Sequence, residues 1–344
     1  MSQPPHYPFG DTLPAPGTAM TVAEGVKWLR MPLPFALDHI NLYLLRDGPG
    51  WAIVDCGVAT DATRDLWEQV FASALDGRPV TRVIVTHFHP DHLGLAGWLT
   101  RRWQVPLLMT QTEWVYGRYM AGPAGSGPWT AEEEQFYGQA GLAEATLAGL
   151  RGRGRHFARL VPEVPGRYLR IPRHGTLAID GRPWQVITGE GHSPEHACLY
   201  SRDAGVLLSG DIVLPKISPN VSVWPTDPES DPLSLYLACL DGFAGVAEDT
   251  LVLPSHNRPF RGLSGRIAAL KAHHAERLAE VAAACASPRT AAEVMAVLFR
   301  RPLDLHQTAF AIGETLSHLN ALIGGGRIRR QLRPGMADLY VAAA

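Results

Sequence analysis

Cysteine is scarce and scattered in this chain. Its 344 residues hold four, Cys56, Cys198, Cys239 and Cys285, with no C-x-x-C pair among them. That pattern excludes a disulfide framework and a cysteine-based zinc finger, and it places the chain in a reducing cytoplasm. A charge excess is also missing. The 31 basic and 33 acidic residues leave a net charge of -2, so no global field draws the chain to nucleic acid or to an anionic membrane. No apolar run approaches the roughly 18 residues a membrane-spanning helix needs. The opening "MSQPPHYPFGDTLPAPG" has neither the basic stretch nor the apolar core of a secretory signal. There is no G-x-S-x-G element to carry a serine nucleophile, no flavin-binding fingerprint, and no internal repeat.

What is there is globular. Hydrophobic residues make up 46% and charged residues 19%, enough for a large core, and the length suits two domains. Residues 1–24 are rich in Pro and Gly and read as an N-terminal arm. "INLYLL" (40–45) and "WAIVDCG" (51–57) flank a Gly/Pro turn and predict a hairpin. "DATRDLWEQVFASAL" (61–75) has helical spacing, "RVIVT" (82–86) predicts a strand, "DHLGLAGWLTRRW" (91–103) a helix and "VPLLMT" (105–110) a strand. A helical insertion over about 113–165 interrupts this alternation. It carries Trp114, Tyr116, Tyr119, Phe136 and Tyr137, which read equally as a pocket wall or as the insertion's own core. Its basic run "RGRGRHFAR" (151–159) reads as a solvated surface before a phosphate-binding patch. Strands resume at 177–181, 184–188, 197–201, 205–211 and 250–256. From 263 to 344 come three helices and a short hairpin, the element order of a winged-helix-like domain.

"THFHPDH" (86–92) carries the chemistry. Three histidines and an aspartate crowd the C-terminal end of a predicted strand, the edge where open α/β sheets gather ligands. Neutral imidazoles and carboxylates suit zinc best, with iron or manganese also compatible. His87, His89, Asp91 and His92 cannot all reach one tetrahedral ion without strain, whereas two ions about 3.5–4 Å apart would accommodate them. Further ligands are then required, and His192 in "TGEGHSPEH", Asp211 in "LLSGD" and His256 in "LVLPSH" each follow an apolar strand.

With these motifs in view, the sequence resembles the metallo-β-lactamase superfamily over roughly residues 25–262. The resemblance implies an α/β fold, the αββα four-layer sandwich, and a metal-dependent hydrolase. It further implies that His87, His89 and His192 hold one divalent metal ion, that Asp91, His92 and His256 hold a second, and that Asp211 bridges them. Asp91 and Asp211 are then the candidate catalytic carboxylates. His196 is a candidate proton donor, or equally a satisfied structural histidine. The aspartate at 211, where many zinc β-lactamases carry cysteine, makes the pattern more similar to glyoxalase II and to lactamase-like ribonucleases with a winged-helix tail. Ser255-His256-Asn257 departs from the Gly-His-Gly usual there, and the basic residues with which glyoxalase II holds glutathione have no match. The resemblance implies a water activated between two metals that attacks a thioester or related carbonyl of a small-molecule acyl substrate. Lactone or β-lactam opening and nucleic-acid hydrolysis stand as rivals. No membrane contact is expected, and a homodimer through the tail is compatible. His39 reads as a surface residue before a border of the pocket, and Cys56 as a small buried hydrophobe before a nucleophile.

Overall fold

Alternation explains the layers of this protein, whose computed structural model describes residues 4–34, 37–153 and 156–343. The first sheet has seven strands lying side by side in chain order: β1 (Met20–Ala23), β2 (Val26–Pro32), β3 (His39–Asp47), β4 (Gly50–Val54), β5 (Val80–Ile84), β6 (Leu107–Met109) and β7 (Leu169–Arg170). The second has five, β8 (Thr176–Ile179), β9 (Arg182–Gly189), β10 (His196–Ser201), β11 (Val206–Gly210) and β12 (Leu251–Pro254), ordered β12-β11-β10-β9-β8. Successive side chains of a strand point to opposite faces. In β3, Tyr43 and Leu45 therefore enter the core between the sheets, while Ile40, Leu42 and Leu44 face outward. In β10, Ala197 and Leu199 point in, and Cys198 and Tyr200 out.

Both outer faces are apolar, so both need a cover. On the first sheet it comes from α1 (Asp61–Ser73), α2 (Pro90–Leu93) and α3 (Ala96–Trp103), with Trp67, Val70 and Leu99 in the shared core. The insertion supplies α4 (Gln111–Ala121), α5 (Ala131–Gln139), α6 (Glu144–Arg153) and α7 (Phe157–Leu160). On the second sheet the cover is α8 (Pro232–Cys239), a 3₁₀ turn and the first half of α9 (Leu263–Ala284), through Leu233, Tyr236, Leu240, Leu263 and Leu270. The result is the four-layer α/β sandwich. The second half of α9 joins α10 (Ala291–Leu298), α11 (Leu305–Gly324) and the hairpin β13 (Ile328–Gln331) and β14 (Leu339–Ala342). Their core includes Phe136, Tyr137, Leu147 and Leu150 of the insertion together with Val281, Val294 and Ile312.

Three expectations change. Residues 20–23, expected in the arm, form β1 and pair with β2, itself unassigned from sequence. The single helix expected over 91–103 breaks after Leu93, because the Leu95 N–H turns to the Gly57 carbonyl at 3.2 Å. The insertion's aromatics divide. Phe136 and Tyr137 are core with the C-terminal helices, whereas Tyr116 packs on Phe88. Within the basic run 151–159, residues 154 and 155 lie outside the described residues, and Arg151 is engaged by Glu134 at 2.6 Å. No helix among the described residues is long and apolar enough to cross a membrane.

Candidate metal centre

The two sheets are stitched together at one edge. The Ala197 N–H donates to the Thr86 carbonyl at 2.9 Å, and the Asn41 N–H donates to the Ser255 carbonyl at 2.7 Å. The Asn41 side chain and the Tyr43 hydroxyl both donate to the Pro254 carbonyl, at 2.9 and 2.8 Å. Every sequence-predicted ligand leaves its strand at this seam: the 87–92 cluster after β5, His192 after β9, Asp211 after β11 and His256 after β12.

The seven side chains converge. His87 Nε2 lies 2.9 Å from His89 Nδ1 and 3.3 Å from His192 Nε2. Donors about 2.0–2.1 Å from a tetrahedral ion stand roughly 3.3 Å apart, so this spacing fits one divalent cation. In the other half, His256 Nε2 lies 3.4 Å from Asp91 Oδ2, and His92 Nε2 lies 3.6 Å from the same oxygen. Asp211 Oδ2 reaches both halves, at 3.5 Å from His192, 3.5 Å from His256 and 3.7 Å from His92. Three ligand sets follow: His87/His89/His192, His87/His92/Asp211 and Asp91/His92/His256.

The donors also fit a metal in their unmet needs. His92 Nε2 and Asp211 Oδ1 are buried with no hydrogen-bond partner, a costly condition unless a cation satisfies them. Burial, reinforced by neighbouring imidazoles, holds His87 well below the usual histidine range and His89 down to about 3; both remain neutral, the form that ligates. In the acidic half, burial opposes charge on His256, but Asp211 and Asp91 outweigh it and push it up to about 10. Burial likewise opposes ionisation of Asp91, yet His92 and His256 hold its carboxyl down at about 2. This half attracts positive charge, which divalent cations would supply.

Three of the remaining ring nitrogens are held from outside, the arrangement that sets the tautomer of ligating histidines. His92 Nδ1 bonds Asp55 at 2.8 Å, His192 Nδ1 the Asn220 carbonyl at 2.7 Å and His256 Nδ1 the His39 carbonyl at 3.0 Å. Asp55 also accepts from the Thr86 N–H at 2.8 Å, and it does so from a left-handed backbone with φ of 61°. Sequence reasoning missed Asp55, although it ends the strand "WAIV" as the other site residues end theirs.

Four readings sharpen. His196 is fully buried, and its Nε2 accepts from the Asp211 N–H at 3.1 Å while its Nδ1 faces Cys198 Sγ at 3.5 Å. Both nitrogens are thus engaged, and the Nε2 contact holds the Asp211 backbone, the geometry expected of a satisfied structural histidine. Gly210 (φ 52°) lets the ring lie flat against the chain, since a Cβ there would meet His196 Nε2 at 2.3 Å. Asn257 explains the missing Gly-His-Gly: it sits at φ 69°, where asparagine is the common substitute for glycine, and its N–H donates to His39 Nε2. His39 thus borders the site and shapes the His256 loop. Cys56 is buried, and burial pushes its thiol well up, away from nucleophilic use.

Comparison with known proteins agrees with this geometry. Residues 36–256 match the family model of the metallo-beta-lactamase superfamily, and residues 278–340 match that of the metallo-beta-lactamase-like C-terminal domain. A crystal structure of a beta-lactamase domain protein from Burkholderia ambifaria is 50% identical, with a TM-score of 0.92 over 98% of each chain. A metallo-beta-lactamase family protein from Thermus thermophilus is 29% identical, with a TM-score of 0.76 over 94% of this chain and 100% of that one. The Bacillus subtilis protein named "Probable metallo-hydrolase YqjP" is 26% identical over 326 residues, covering 87% of this chain and 92% of its own.

Proposed function

The chain belongs to the metallo-beta-lactamase superfamily and is a metal-dependent hydrolase, and on that premise we propose a two-ion centre that hydrolyses the carbonyl of a thioester or related ester. One observation carries the two-ion reading: a single oxygen, Asp211 Oδ2, lies within 3.5 Å of both His192 and His256. Divalent ions there, zinc best suiting the donors, would polarise a carbonyl and make water acidic enough to attack at neutral pH. The chain's own contribution is placement. His196 and Gly210 aim Asp211, Asp55 and Thr86 hold His92, and Asp91 presents its carboxylate to His256.

The substrate class rests on what borders the donors. Phe88 lies 4.8 Å from the His89 ring and packs with Tyr116 at 5.6 Å and Phe157 at 5.9 Å. These half-buried rings form an apolar wall suited to an acyl group, and lactones and β-lactams would meet the same wall. Nucleic acid is the weaker reading. Arg330 in the tail's "RIRRQLR" is already committed to Asp338 and Glu229, at 2.7 and 2.6 Å.

A panel of thioesters, lactones, β-lactams and phosphodiesters, run on wild type, His89→Ala and Asp211→Ala, tests the reading. Thioester hydrolysis that both folded variants lose supports it. Exclusive cleavage of phosphodiesters overturns the substrate class, and an active, metal-replete Asp211→Ala protein overturns the centre.

A further inference from the structure

Glu113 is fully buried on α4, outside the ligand set, and its carboxylate gathers both loops that carry the first ligand group. Oε2 accepts from the N–H of Phe88, between His87 and His89, at 2.9 Å. Oε1 accepts from the Ser193 hydroxyl at 2.7 Å and the Glu195 N–H at 2.6 Å, on the loop that begins with His192. The sequence Thr110-Gln111-Thr112-Glu113 has the form of a helix capping box, in which the glutamate would turn back to its own N-terminus. Here the cap is exchanged. Glu195 accepts from the Thr112 N–H at 2.8 Å, and the Thr110 hydroxyl goes to the Glu195 carbonyl at 2.7 Å. Glu113 is freed to reach across. Full burial strips its carboxylate of hydrating water, an expense a helix cap would not require.

We infer that Glu113 is a positioning residue for the His87/His89/His192 metal group, a clamp that holds the two ligand loops at binding distance. The inference rests on the metal centre proposed above, but not on how many ions it holds. Glutamine at 113 keeps the volume and loses the function. An amide nitrogen cannot accept a hydrogen bond, so whichever way it turns, one N–H or O–H donor faces another donor.

The test is titration of metal-free protein with cobalt(II), followed by its visible absorption, for wild type and Glu113→Gln, with folding checked by circular dichroism. We expect Glu113→Gln to weaken the binding phase of the three-histidine group by on the order of 10-fold or more, the loss usual for partners that orient ligands. The phase belonging to Asp91, His92 and His256 stays within about threefold. Ser193→Ala removes one of three arms and weakens the same phase less; it decides the matter if Glu113→Gln does not fold. Unchanged binding in the folded variants, or equal weakening of both phases, overturns the role. A single phase in wild type would count against the two-ion reading while leaving the clamp measurable on that phase.

Discussion

At the scale of single residues, the centre depends as much on what holds the ligands as on the ligands. Asp55 shows this. It accepts from His92 Nδ1, the Thr86 N–H and the Thr86 hydroxyl, all buried. Asparagine tolerates the left-handed backbone at 55 but loses the charge that supports His92 as a donor. Asp55→Asn is therefore expected to lower affinity for the ion at Asp91, His92 and His256 by roughly 10- to 100-fold while leaving the fold intact. Metal titration with parallel thermal melting checks this; unchanged affinity would mean that His92 is set by its neighbours alone. The candidate ligands were legible in sequence because each is a polar residue at or just beyond the end of an apolar strand. Asp55 also ends an apolar strand, but its role and that of Glu113 lie in partners 25 to 82 positions away, and no local spacing records that.

At the scale of elements, the C-terminal helices are built into the site. The connector between β11 and α8 carries Asn220, whose carbonyl holds His192, and that connector is laced to α11. The Val223 N–H donates to the Gly313 carbonyl at 3.1 Å, the Ser222 hydroxyl to the Phe310 carbonyl at 3.3 Å, and Asn320 to the Ser230 carbonyl at 2.8 Å. Gly313 permits this approach, since a Cβ there would meet Ser222 Cβ and the Val223 carbonyl oxygen at 2.9 Å. In an open helix Gly→Ala gains up to about 1 kcal/mol. Here overpacking against backbone, typically about 1–3 kcal/mol, should reverse the sign. Gly313→Ala is expected to lower stability by about 1 kcal/mol and to weaken metal binding at the His192 group. Denaturant unfolding and metal titration report the two effects, and a stabilised protein with normal affinity would show the connector to be slack. Sequence periodicity identified α9 to α11 and the hairpin. It could not show that α11 packs on the connector, because nothing in an amphipathic pattern names the partner of its apolar face. β1 and β2 escaped for a related reason: "VKWLRMP" mixes large apolar and basic residues on both faces, and its assignment comes from pairing with β3.

At the scale of the whole molecule, two sheets share one seam, and the seam gathers seven donors spaced as a metal-ligand set. Buried carboxylates and imidazoles with unmet Nε2 and Oδ1 atoms make the metal-free state costly. Metal bound only by the folded chain should raise its stability by about 4 kcal/mol when free metal is roughly 1,000-fold above the dissociation constant. Elemental analysis of the protein as purified, joined to hydrolysis before and after chelation and metal return, tests the two-ion centre. Two divalent ions per chain are expected, fewer in Asp211→Ala, with activity lost on chelation and restored by metal. Full activity in chelated protein, or one ion per chain with full activity and an Asp211→Ala variant of unchanged metal content, would contradict it.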